Sequence, residues 1–167
     1  LKKIIIPSSV TLIKSYAFFE CSNMTEIFIP PSVSFISDLV FSGCGSLTQI
    51  TLPHSIKSIY SFMLCHCTSL TQIIIPSSIT EIGRGAFAYC TSLKEVFFEE
   101  PSSVSFIGDS CFNNCKSLVE ISIPPSVNKI GNIAFFDCTS LILITIPSSL
   151  NTIGENAFPP NAEIKRI

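Results

Sequence analysis

The sequence predicts an α/β-class solenoid of seven 23–25-residue coils, each a short parallel strand, a second extended segment and a short α or 3₁₀ turn. Three observations predict it. The 167 residues are self-similar, with coils opening at Leu1, Met24, Leu47, Leu70, Leu93, Leu118 and Leu141. Three columns of that repeat never vary: Pro at position seven (Pro7 to Pro147), Ser at nine (Ser9 to Ser149) and Ile at thirteen (Ile13 to Ile153). The chain is also 47% apolar, yet Pro or Ser interrupts each apolar run far short of the ~20 residues of a membrane span. One coil cannot bury its own apolar face, so neighbours must stack.

The elements follow in order along the coil. Positions four and six are apolar around a variable position five, as in Ile50, Thr51 and Leu52, which is the period of a strand with one buried face. The Pro at seven removes a ladder donor and ends pairing there. Position ten (Val10, Val33, Ile56) and the Ile at thirteen make a second inward pair. Gly83, Gly108, Gly131 and Gly154 follow that Ile, which reads as a corner of positive φ. The spacing of Ala86, Phe87 and Cys90 is that of a helical turn carrying a large ring inward. Stacked at the strand spacing of about 4.8 Å, seven coils make a rod on the order of 35 Å long. The fifth coil alone carries two extra residues, Glu99 and Glu100, read as a solvated bulge at a strand end.

These columns resemble the BspA-type leucine-rich repeat family. Leu70 to Ser92, LTQIIIPSSITEIGRGAFAYCTS, stands close to its consensus, and the likeness runs to about Phe158. The resemblance implies a single right-handed leucine-rich-repeat solenoid spanning residues 1–167, with Ser in place of the usual Asn ladder and its hydroxyls bonded to backbone between coils. It implies a non-enzymatic module at the cell surface or secreted, binding protein: host extracellular matrix or cell-surface protein. A structural stalk or spacer, and an intracellular scaffold, are the alternative readings.

Other classes of function find little support. A net charge of -2 without a Lys/Arg run argues against nucleic acid as a partner. Each Ser of the ladder has structural equivalents in six other coils, unlike a catalytic serine, and no Gly-rich phosphate loop follows a strand. No enzyme and no cofactor are expected. Six of the eight cysteines (Cys21, Cys44, Cys67, Cys90, Cys115, Cys138) recur once per coil and read as a column of free, mostly buried thiols, because parallel Cβ vectors suit a disulfide poorly. Cys65 and Cys111 stand outside it. Cys65, His66 and Cys67 with Cys44 and Cys90 are the sharpest zinc candidates, but Cys67 should point inward and His66 outward, so no metal is expected. The Asn23-Met24-Thr25 sequon is too short a signal to decide glycosylation.

Specificity should lie where coils differ. Position five faces outward and reads Ile5, Phe28, Thr51, Ile74, Phe97, Ser122 and Thr145. The candidate protein-binding face is an apolar stripe of Phe28, Ile74 and Phe97 edged by Glu26, Gln49, Gln72 and Glu95. β-propensity alone also favours Ile and Phe at such places, and the sequence leaves both readings open. The ends differ too. Residues 159–167 read as a C-terminal capping segment with a closing strand. The chain opens on Leu1, inside the pattern and without a leader, as a piece of a longer protein would; its first coil is a candidate for end-to-end self-association.

Overall fold

The computed structural model describes residues 2–167; Leu1, with which the first coil opens, lies outside the described residues. The chain winds as a parallel β-solenoid of about seven turns. Its first side carries β1 (Lys3–Ile5), β3 (Glu26–Phe28), β6 (Gln72–Ile75), β8 (Glu95–Phe98), β10 (Glu120–Ser122), β12 (Leu143–Ile146) and β14 (Glu163–Arg166). The second side carries two-residue strands: β2 (Leu12–Ile13), β4 (Phe35–Ile36), β5 (Ser58–Ile59), β7 (Glu81–Ile82), β9 (Phe106–Ile107), β11 (Lys129–Ile130) and β13 (Thr152–Ile153). Each strand pairs with its equivalent in an adjoining coil, so column residues lie side by side: Ile4 with Ile27, Ile73 with Val96, Ile82 with Ile107.

The invariant Pro ends each first strand, and its carbonyl closes a turn by accepting the amide three residues on, as Pro76 does from Ile79 at 3.0 Å. The hydroxyl ladder is real over part of the stack. Ser32 and Ser78 donate to the carbonyls of Val10 and Ile56 at 2.8 and 2.9 Å, and Ser55 donates to Val33. It fails where the insertion lies. In the fifth coil the Pro turn is remade, with the Val104 amide donating to Ser102 Oγ instead, and the next rung, Ser126 Oγ, is buried with no partner. The Glu99 side chain is not a free solvated bulge either. It is half-exposed and bonded, as described below, while Glu100 stays in solvent and accepts the Ser102 amide at 3.1 Å.

The third side departs from expectation: among the described residues there is no α or 3₁₀ helix. Alternate amides leave the coil. Gly85, Phe87 and Tyr89 donate to the next coil at Asp109, Cys111 and Asn113, while Ala86, Ala88 and Cys90 donate three residues back within their own. A helix would need all of them inside. The alternation is built on left-handed backbone at positions sixteen and twenty of the first six coils, from Tyr16 (φ 64) and Glu20 (φ 54) to Ile133 (φ 48) and Asp137 (φ 58). Positive φ therefore lies there and not at Gly83, Gly108, Gly131 and Gly154. Those glycines answer a close approach instead: a Cβ on Gly108 would meet the Gly83 carbonyl carbon at 2.6 Å, and one on Gly131 the Asp109 nitrogen at 2.4 Å. Beside them, Asp38, Asp109 and Asn132 each accept the equivalent amide of the next coil at 2.8 Å.

One continuous core fills the interior. Its spine is a column of rings: Phe18 on Phe41, then Phe87, Phe112, Phe135 and Phe158 at 5.1–5.9 Å centroid spacing, with Leu64 in the ring's place in the third coil. Offset-stacked rings at this spacing gain about 0.5–1.5 kcal/mol per pair beyond their burial. All eight cysteines are free, and seven are buried. The column thiols donate in series to the coil before: Cys67 to the Phe41 carbonyl, Cys90 to Leu64, Cys115 to Phe87, at 3.2–3.3 Å.

Candidate protein-binding face

The period-two pattern of the first strands buries positions four and six and turns three and five outward. Ile5, Phe28, Ile74 and Phe97 therefore stand half or more exposed, at 50–68%. Register groups them. Ile5 pairs with Phe28 and Ile74 with Phe97, while Thr51 stands between the two pairs. The expected stripe is thus two apolar ridges with a notch. Phe28, Thr51 and Ile74 line a groove of about 330 Å³, whose floor is Ile50 and Leu52 and whose far end meets Pro53, His54, Pro76 and Glu99. A second groove of about 280 Å³ opens beyond Phe97, over Ser122 and Thr145.

The polar edge is less uniform than the sequence implies. Glu26 is held by Lys3 at 3.0 Å across the strand pair, a contact two exposed side chains make at little energetic gain. Gln72 lies beside Glu95 in register, and both are exposed, as is Gln49 above the notch. Sequence reasoning missed two contributors. Thr51 matters because it is small between large neighbours, a signal present in the position-five column. His54 and Glu99 meet at 2.6 Å at the groove's end, and the same carboxylate oxygen accepts the Ser77 amide at 3.0 Å. Nothing in the sequence pairs residues from coils three and five. The Ser77 amide first, and His54 second, hold the Glu99 carboxyl below its ordinary range.

The other sides hold aromatics that pack against residues of neighbouring coils. Phe35 tilts against Tyr60 at 5.0 Å, Tyr89 stacks on His66 at 4.5 Å, and the Lys129 ammonium stands 5.1 Å from the Phe106 centroid. Cys67 points into the core while His66 is exposed, which separates the zinc candidates. Among the described residues no group of three His, Cys, Asp or Glu side chains is arranged to hold a metal. Among the described residues no helix is long and apolar enough to cross a membrane.

A stack of parallel coils, each with an invariant Pro and all but the third with an inward ring, is a leucine-rich-repeat solenoid. The chain belongs to the BspA type leucine rich repeat region family, whose pattern matches residues 1–101 and 97–167 in six copies. A leucine-rich repeat protein of Eubacterium ventriosum is similar in structure, with a TM-score of 0.88 and 26% identity over 99% of this chain and 44% of that one. The leucine rich repeat protein of T. pallidum has a TM-score of 0.82 and 27% identity over 92% of this chain and 73% of its own. A leucine rich cell surface protein of Faecalibacterium prausnitzii, 24% identical with a TM-score of 0.67, shares the fold; this chain is covered over 99% of its length and spans 60% of that one. No curated protein matches the sequence.

Proposed function

We propose that the chain is a non-enzymatic cell-surface module that binds a partner protein through its first-strand face. The observation that carries this reading is the exposure of Phe28, Ile74 and Phe97, each half in solvent on strands whose opposite face already supplies the core. β-propensity accounts for part of that choice, and large apolar groups half in solvent gain more against a docked surface. The notch at Thr51 adds a recess into which a partner side chain fits between two ridges. The surface location rests on the BspA-type family and agrees with the Faecalibacterium prausnitzii relative in fold, itself a cell surface protein. Host matrix and cell-surface proteins are the partners to try first.

The test is binding of the purified chain to immobilised matrix proteins and to intact epithelial cells. The comparison is the triple variant Phe28→Ser, Ile74→Ser, Phe97→Ser, with unchanged folding checked by circular dichroism. Saturable binding that the variant loses supports the face. Binding that survives in the variant moves the site elsewhere, and a folded chain that binds nothing favours a spacer.

A further inference from the structure

The third coil is where the repeat breaks its own rules, and its junction with coil two is where the first and second sides both lose their ladders. Elsewhere the amide at position fourteen donates to the position-thirteen carbonyl of the coil before: Ser37 to Ile13, Gly83 to Ile59, Gly108 to Ile82. The amide at position eleven likewise donates to its equivalent, Ser34 to Thr11 and Thr80 to Lys57. Among the described residues, Tyr60 makes no such bond to Ile36, Lys57 makes none to Ser34, and no ladder joins β4 to β5. On the first side Gln49–Leu52 runs extended without pairing to β3 or β6, and β8 is likewise unpaired with β10, but at that later junction the second side stays laddered through β9 and β11. The third side of the same junction is complete: Leu39, Phe41 and Gly43 donate to Ser61, Met63 and Cys65 at 3.1, 2.9 and 2.8 Å.

The side chains agree with the backbone. Leu64 interrupts the ring column, and Met63 fills the space where the later coils carry Ala or Cys beside their Phe. Phe35 and Tyr60 lie across the junction, Tyr60 at the position that is Gly in the four following coils. A hollow of about 240 Å³ between Glu26–Ile29 and Gln49–Thr51 opens there on the first side. The ordered third side, with first and second sides that keep no backbone ladder and only the Ser55–Val33 and Ser61–Asp38 bonds near their corners, is the geometry of a hinge whose pivot is the intact ladder.

We infer that the solenoid bends at the junction of coils two and three, pivoting on the Leu39–Gly43 ladder, so that the groove between Phe28 and Thr51 widens and narrows. The inference does not depend on what the strand face binds.

Nitroxide pairs test it. Ser34→Cys with Asn128→Cys spans four coils across the junction; Lys57→Cys with Asn151→Cys spans four coils beyond it. All four positions are exposed, and a Cys21→Ser background leaves only buried native thiols. Both pairs should show mean separations near 19 Å plus label length, at about 4.8 Å per coil. The crossing pair should give a distance distribution about twice as wide. The variant Tyr60→Gly, Met63→Ala, Leu64→Phe, which gives coil three the residues of its neighbours, should narrow it. Equal widths for the two wild-type pairs overturn the hinge, whether or not the coil-three variant folds. Unequal widths that a folded variant leaves unchanged overturn the assignment to these residues.

Discussion

The Nε2 atom of His54 lies 2.6 Å from Glu99 Oε2 although a whole coil separates theirs. That contact, with the Ser77 amide on the same oxygen, ties the inserted residues of coil five back across coil four to coil three. It closes one end of the groove under Phe28 and Ile74.

A carboxyl held below its ordinary range in the fold stabilises above the unfolded-state value, and loses that contribution as pH falls through the folded value. Glu99→Gln should therefore lower the melting temperature at neutral pH. The difference from wild type should shrink as pH falls below about 4.3 and be gone once pH has passed below the folded-state value. Melts of both proteins across this range decide it; a constant difference would mean the charge is not its source.

Burial pushes the column thiols up, Cys44 and Cys138 to about 12, and Cys65 outside the column to about 11. Thiols that do not ionise do not attack a disulfide reagent. In the native protein at pH 8 only the half-buried Cys21 should react quickly with an aromatic disulfide, whereas denaturant should release all eight. Rapid reaction of more than one thiol in the folded state would contradict the packing of the column.

Phe112 is fully buried between the rings of Phe87 and Phe135, at 5.2 and 5.1 Å. Phe112→Ala should cost about 3–5 kcal/mol, the range for emptying a large site in a close-packed core. Phe112→Leu should cost less, because coil three already accommodates Leu64 in that column. Urea denaturation of the two variants measures the difference.

The glycines divide by what surrounds them. Gly131→Ala would place a methyl 2.4 Å from both the nitrogen and Oδ1 of Asp109, and should destabilise by about 1–3 kcal/mol through enforced backbone movement. Gly45→Ala meets only Thr68 Oγ1 at 3.4 Å and should fall within about 0.5 kcal/mol of wild type. Equal losses at both sites would show that the approach of the neighbouring coil does not govern the cost at Gly131.

Most of the architecture was legible because repetition multiplies weak signals. One Pro or one Ile says little; seven in phase locate every strand end and every inward position. The third side was misread because the spacing of Ala86, Phe87 and Cys90 is common to a helical turn and to a run of alternating bonds. What decides between them is where the Gly85 and Phe87 amides go, and that depends on the neighbouring coil. The same holds for Gly83, Gly108 and Gly131, whose small size answers the adjacent backbone and not their own φ. Of the candidate face, the outward direction of Phe28, Ile74 and Phe97 followed from the period. Their division by Thr51, the tie of Glu26 to Lys3, and the meeting of His54 with Glu99 all rest on register between coils.

Coil five absorbs Glu99 and Glu100 and returns to phase within a few residues. Phe106 still pairs with Glu81 before it, and Lys129 with Phe106 after it. The disturbance stays beside the insertion, at the remade turn, the unpartnered hydroxyl of Ser126 and the missing ladder between β8 and β10. The corner after the first strand is thus a place where foreign sequence can be spliced in and shown to solvent while the winding continues. A chain of this kind can acquire new surface loops one coil at a time, or be used to display a grafted epitope, without its spine being rebuilt.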